Sequence, residues 1–515
     1  MKTKNILILS MSALTVIGLT GCKDSFLEVE NENADPIDEY YTTDAHIQES
    51  LVAAYDPLHW PDWSYNQYDP INLSSDVMGD DMNVGGQTNS DCLHLQKLSN
   101  YIGNADFTLS SLWTDEYSGV KRCNDLIAYV ENCKKLGTTN VTDAKATYYE
   151  TCARVLRAYY YMNLWKFWGN IPYYTTNLSG NYLCKQITAD EVYTNVITDL
   201  ESAIGDNVLP MRAETSDYGK MTKAFAYMVY AEMVMYQNDE SRYAKALDYM
   251  KEIINSGKYE LVTDYASIWD ESGEWSSESI YEINYNDDNH SRGWNSPLAV
   301  GGTVLPRMLG PRGWKSGKDG VDVGWGFGPI RQETYDMFSS KDTRRDATCY
   351  NATAAAKAND FDYDHAWEDT GFFLYKYLPH TANNKDAGWD VDLNFNNNLR
   401  VYRYAETLLN AAELSVRTGG SSTGDALKWL NKVHQRAGLD ALTEATVDNI
   451  INERHLEFVG EGKRYWDLVR TGKAATTLVA NSAAERTNSW TVSKKYLPIP
   501  QAELSADPNL KQNDY

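Results

Sequence analysis

Beyond its first 21 residues the sequence has no apolar run long enough to cross a bilayer, which takes about 20 residues, so a polytopic membrane protein is excluded. It also has no Lys/Arg-rich run. A net charge of −25 and a pI near 4.7 argue against binding nucleic acid or a polybasic hold on a membrane surface. Its seven cysteines form no CxxC pair and no Cys/His spacing suited to zinc. Catalytic signatures are missing as well: there is no GxSxG, no HExxH and no Walker A sequence. "GWKSGKD" from Gly313 has the wrong spacing for a phosphate loop, and "GWGFG" at 324–328 follows no convincing strand. The eight histidines are scattered, and His455 among Glu453, Arg454 and Glu457 reads as part of a structural ion network. Carboxylates are too numerous for any two to stand out as a glycosidase pair.

Phenylalanine is scarce, at 11 residues against 37 Tyr and 15 Trp. A chain that needed only core volume would lean on Phe and Leu. Trp and Tyr join a flat apolar face to a polar edge, which suits ligand platforms and interfaces. The amino terminus carries a second signal. Lys2 and Lys4 precede an apolar stretch from Ile6 to Leu19, the proportions of a secretory signal. "LTGC" then places Cys22 directly after small residues, which resembles a bacterial lipobox. That resemblance implies cleavage before Cys22 and acylation there, and stable anchoring takes more than one acyl chain. The competing reading is a plain signal peptide with an incidental cysteine. Cys92, Cys123, Cys133, Cys152, Cys184 and Cys349 stay open between disulfides, which export permits, and isolated buried thiols.

Residues 22–38, charged and containing Pro36, read as a tether. Helical periodicity then dominates a single domain over 39–515. "DAHIQESLVAAYDPL" has a cap candidate in Asp44 and ends at Pro57. "LWTDEYSGVKRCNDLIAYVENCKK" spaces Leu112, Val120, Leu126, Ile127 and Val130 as one face, and "AKATYYETCARVLRAYYYMNLWKFWG" stops at Gly169. "LRVYRYAETLLNAAELSVRTGG" is a further amphipathic segment, with small residues at Ala405, Ala411 and Ala412 that permit close helix contact. Short Gly or Asn stops between such segments predict antiparallel helix pairs, a mainly α, TPR-like scaffold without a clean repeat period. Two long irregular regions interrupt it, at about 57–107 and 265–398, and loops of that length are often functional. A short strand pair is expected in "ESIYEINY", Ser279 to Tyr285.

"ERHLEFVGEGKRYWDLVRTGKA" from Glu453, the ending "YLPIPQAELSADPNLKQNDY", and "VLRAYYYMNLWKFWGNIPYY" together resemble the SusD/RagB family, over essentially the whole chain after Cys22. The resemblance implies a helical lipoprotein of the outer membrane, facing the cell exterior, that partners a SusC-like TonB-dependent transporter. It implies capture of oligo- or polysaccharide, or of peptide in the RagB branch, with no hydrolysis and no cofactor. Lys23-Asp24 after the cysteine is similar to part of a surface-export signal. A scaffold with protein partners only, or a glycoside hydrolase, are the readings from other classes.

A sugar ring stacks its C–H face on an indole and pairs its hydroxyls with polar side chains. The candidate ligand residues are therefore the loop residues Trp60, Trp63, Trp294, Trp314 and Trp325, with Asp76, Asp80 and Arg292 as hydrogen-bonding partners. Tyr65, Tyr68, Trp275, Trp367 and Trp389 lie in the same loops, and any one of these rings can instead anchor its loop to the core. Trp113, Trp165, Trp168, Trp429 and Trp466 lie in helical patterns and read as packing. Asp76, Asp80 and Asp81 could hold Ca2+ through hard oxygen ligands, or form a solvated acidic loop. Arg454, Glu457, Arg464 and Asp467 are assigned to structure.

Overall fold

The computed structural model describes residues 37–288, 292–315, 319–481 and 486–515. The expected signal segment and the Cys22 lipidation site lie outside the described residues. Among the described residues no helix is long and apolar enough to cross a membrane.

The main helices of the first half are α1 (Asp44–Tyr55), α2 (Ile71–Met78), α3 (Ser110–Leu136), α4 (Asp143–Trp168), α5 (Ala189–Gly205), α6 (Lys223–Gln237) and α7 (Tyr243–Asn255), with short helical turns at Ile37–Tyr40 and Leu93–Ser99. The short α8 (Leu305–Leu309) sits in the second loop region. Then come α9 (Tyr404–Arg417), α10 (Asp425–Arg436), α11 (Val447–Glu457), α12 (Arg464–Arg470) and α13 (Gln501–Ala506). Their ends follow local chemistry. Thr142 and Thr188 cap α4 and α5 through their side chains, the latter in a reciprocal box with Glu191. Gly137 ends α3 in the left-handed conformation.

The helices pack as neighbours: α3 on α4, α4 on α5, α5 on α6, α6 on α7, α7 on α9, and α9 on α10. This is the TPR-like scaffold expected from the sequence. Where α3 meets α4, a Cβ on Gly119 would lie 2.4 Å from the Tyr160 ring, so only glycine allows that approach. Ala405, Ala411, Ala412 and Ala426 are fully buried at similar contacts. One continuous hydrophobic core runs from Ile47 to Ile499, and a smaller cluster around Trp314 lies under the second loop region.

The strands are short: β1 (Ile171–Pro172) pairs with β2 (Gln186–Ile187), β3 (Ser279–Ile283) with β6 (Leu399–Arg403), and β4 (Cys349–Asn351) with β5 (Phe372–Leu374). All three pairs are antiparallel. The expected strand at 279 is present, but its partner lies more than a hundred residues away, and every residue of β3 is buried. The first loop region is less irregular than its sequence implied. It contains α2, only eight residues between Pro70 and Gly79, too short for an apolar period to stand out in the sequence.

Behind the loops the carboxy-terminal signature builds a buried ion lattice. Arg403 pairs with Glu278 (2.6 Å), Glu457 (2.9 Å) and Glu461 (2.7 Å). Arg344 joins Asp342, Glu453 and Glu457, and Arg436 joins Glu278 and Glu457. Burial pushes the Glu457 carboxyl up, but Arg436, Arg403 and Arg344 outweigh it and hold it at about 2. The six cysteines described are all free thiols.

Candidate functional site

Three loop segments bring four aromatic rings together. The first is a two-residue hairpin in which Ser64 and Gln67 exchange backbone hydrogen bonds of 3.2 and 2.8 Å. Its apex, Tyr65–Asn66, has φ of 44° and 63°, the left-handed pair that a type I′ turn requires. Trp63 and Tyr68 flank this turn and meet across it, with ring centroids 4.4 Å apart. The second segment is a tight turn closed by Ser296 N–H on the Gly293 carbonyl, 2.9 Å, which carries Trp294. The third is the Gly-rich strip at 324–328. Its backbone lies against α8, with Trp325 N–H donating to the Arg307 carbonyl at 2.8 Å. A Cβ on Gly324 would meet Gly310 at 2.2 Å, so the glycine allows that close seating.

The rings close a four-sided cluster. Trp63 meets Trp294 edge-on (5.4 Å, 75°), Trp294 lies nearly parallel to Trp325 (6.3 Å, 24°), and Trp325 meets Tyr68 edge-on (5.6 Å, 73°). All four are partly exposed. Burial raises the Tyr68 hydroxyl pKa, with Cys92, Asp392 and Asp62 adding to the shift, so Tyr68 stays a neutral hydrogen-bonding phenol at any physiological pH. Trp389, 52% exposed, stands beside Gly293 at the edge of the cluster.

The polar residues around the rings act mainly as supports. Asp390 accepts the Trp294 N–H at 3.0 Å. Arg307 reaches Asp392 (2.8 Å) and Asp322 (2.9 Å). Beneath the rings, buried Asp62 accepts from Arg292 (2.7 Å), the Thr303 hydroxyl (2.8 Å) and the Val304 N–H (2.8 Å). Arg292 also donates to the Trp63 and Pro297 carbonyls. This pair therefore ties the Trp63 hairpin to the Trp294 turn.

Of the eight candidate residues, the structure gathers Trp63, Trp294 and Trp325 in the cluster, sets Arg292 behind it and places the other four elsewhere. Trp60 is buried, its ring under the Arg122 guanidinium at 4.7 Å. Trp314 is buried in the satellite core among Val321, Tyr363 and Phe373. Trp314 fills its loop's own core and Trp60 packs against α3, because bulky rings are what loops of this length have to bury. Arg292 is buried and supports the rings from behind. Asp76 is buried with both oxygens 3.1 Å from the Gly462 N–H, and burial, then the Asp81 charge, raises its pKa. Asp80 is held by Arg464 at 2.8 and 2.9 Å. Burial pushes its pKa up, yet the Arg464 bonds and the His455 and Arg464 charges bring it to about 2.

The calcium reading falls on the same acids. Asp80, Asp81 and His455 lie close enough together to share an ion. However, His455 already meets Asp81 at 2.7 Å, Arg464 takes both Asp80 oxygens, and only Asp81 Oδ2 is buried without a partner. One open oxygen does not fit a cation that takes six to eight. An interior cavity of about 80 Å³ near Lys166, Glu232 and Lys463 is far below the ~300 Å³ of small-molecule pockets.

Tyr68, one of the loop aromatics but not one of the eight candidates, completes the cluster together with Arg307 and Asp392. Tyr68 could have been found as the residue that faces Trp63 once the turn at 65–66 is recognised. Nothing in the sequence marks Arg307 or Asp392.

A sequence description of the SusD family matches residues 215–515, and one named for starch binding in association with the outer membrane matches residues 25–235. Among solved structures, the surface glycan-binding protein A of Bacteroides thetaiotaomicron in complex with laminarihexaose is 54% identical. The match covers 92% of this chain and all of that one, with a TM-score of 0.88. Surface glycan-binding protein A of Bacteroides uniformis is 51% identical over 92% of this chain and all of its own, with a TM-score of 0.83. A SusD-like protein of Bacteroides ovatus is 24% identical over 91% of this chain and 82% of its own length. The whole described scaffold, from its helix pairs to the signature that builds the ion lattice, is accounted for by these matches: the chain belongs to the SusD family.

Proposed function

We propose that this protein captures glucan chains of the laminarin type at the cell surface and holds them without cleavage for an outer-membrane transporter of the TonB-dependent, SusC-like kind. The observation that carries this reading is the four-ring cluster of Trp63, Tyr68, Trp294 and Trp325 on three loops seated on a rigid helical frame. Rings at several mutual angles present more than one stacking face, which suits successive sugars along a curved chain better than a flat one. The rings are held in place before binding, so little entropy is lost when a ligand settles. The relative bound to laminarihexaose supports the choice of glucan. A binding role without hydrolysis is supported by the carboxylates beside the rings: Asp390 and Asp392 are engaged by the Trp294 N–H and by Arg307. Lipidation at Cys22 would moor the protein to the outer membrane, and its family membership supports that placement.

The test is affinity electrophoresis against laminarin, starch and a peptide mixture, with an assay for released reducing ends. Retardation by laminarin with no released sugar supports the reading. Retention of peptide alone, or liberation of sugar by the purified protein, overturns it.

A further inference from the structure

Beside the platform a groove of about 830 Å³ opens between Tyr65 and the segment Leu298–Val300, which continues directly from the Trp294 turn. Its far wall is α3 at Ser118 and Lys121. The same two residues also line a second groove, of about 480 Å³, walled by Tyr117, Tyr174 and Tyr182. The two hollows thus flank the same stretch of α3. Each of the two carries a strongly exposed tyrosine: Tyr65 is 49% and Tyr182 72% exposed. Both sit at positive φ, 44° and 58°, a backbone region that favours glycine and costs a tyrosine strain. Tyr65 and Ser118 of α3 line the first groove together. In the second groove Tyr117 and Tyr174 lie parallel, 6.0 Å apart, with the Tyr117 hydroxyl on the Pro172 carbonyl at 2.7 Å. The walls therefore alternate aromatic faces with polar groups, as the platform does.

We propose that a glucan chain seated on the platform continues across α3 through these two grooves, with Tyr65 and then Tyr182 as outlying stacking contacts. The inference rests on the platform reading and adds to it that the protein grips polysaccharide over a longer path than the four rings span. A ligand that engages several weak contacts in series binds more tightly than one that reaches the platform alone. Short oligosaccharide and polymer should then respond differently to loss of the outlying rings.

The experiment measures laminarihexaose and laminarin binding to the full chain and to the double variant Tyr65→Asn, Tyr182→Asn. Asparagine removes each ring and tolerates the left-handed backbone. The expected result is hexaose affinity unchanged within about twofold and laminarin affinity about threefold or more weaker. Laminarin bound as tightly as by the unmodified protein overturns the proposal, as does an equal loss for both ligands, which would place the damage at the platform. If the unmodified protein binds neither ligand, the platform reading fails and this path with it.

Discussion

Arg403 is sealed from solvent and paired with three glutamates, whereas Trp294 leaves part of its ring bare beside two other indoles. The ion lattice and the platform are both networks of contacts among a few side chains from distant parts of the sequence. They differ in what completes them. Every charge in the lattice finds its partner within the chain, so the lattice fixes how α10 and α11 sit against β6. The platform rings are only half-buried and pack on one another and on the core, so part of each stays open to solvent. The Asp62–Arg292 pair stands between the two: its buried charges hold the backbone beneath Trp63 and Trp294 without reaching the surface. Buried charge thus sets the geometry, and the proposed recognition falls to half-buried aromatics.

The largest expected effect breaks the lattice. Arg403→Ala would leave Glu278, Glu457 and Glu461 buried with a partner missing and should destabilise the fold by about 3–5 kcal/mol, read by urea denaturation. A loss under about 1 kcal/mol would mean the lattice is not holding the helices. The next effect belongs to the platform. Trp294→Ala should cost about 2 kcal/mol of glucan affinity, roughly thirtyfold, while the denaturation midpoint barely moves. A matching fall in stability would show that this ring is core after all.

A smaller effect comes from pH. Burial, reinforced by Glu282 and Glu271 and opposed by Arg400 and the Asn398 N–H, pushes the Glu274 carboxyl up to about 7. An acid raised in the folded state binds its proton more tightly there than in the unfolded chain. Its contribution is therefore full below the unfolded value near 4.5 and is lost as pH rises through 7. Glu274→Gln should melt like the unmodified protein at pH 4.5 and at a higher temperature at pH 8. Equal melting temperatures at pH 8 would contradict the shift. The opposite sign holds for Glu457 and Asp467, both held at about 2: their stabilisation is present above the ordinary carboxylate range and fades only as pH falls toward 2. The smallest effect is expected at Trp389, which borders the platform without touching its four rings. Trp389→Ala should weaken laminarihexaose binding by no more than about threefold.

The helices were legible because α3, α4 and α9 keep a long apolar period and end at recognisable stops. The structural role of Arg454, Glu457, Arg464 and Asp467 was legible through the family resemblance, and each of the four pairs as a scaffold residue. Within the loops the sequence pointed to the right residue type but could not separate Trp60 from Trp63, three positions apart. Exposure there depends on which side of the hairpin each ring leaves, and that is set by contacts with Arg122 on α3 and with Trp294 from another loop. Asp76, Asp80 and Arg292 looked like exposed hydrogen-bonding groups because their partners, Gly462, Arg464 and Asp62, are hundreds of residues away. No local pattern records such a pairing.

If the half-buried rings, and not the buried loop tryptophans, bind the proposed glucan, titration calorimetry of laminarihexaose into the unmodified protein, Trp325→Ala and Trp314→Phe will separate them. Near-complete loss of heat is expected for Trp325→Ala and an unchanged isotherm for Trp314→Phe. Unchanged binding by Trp325→Ala, or loss confined to Trp314→Phe, would contradict that reading.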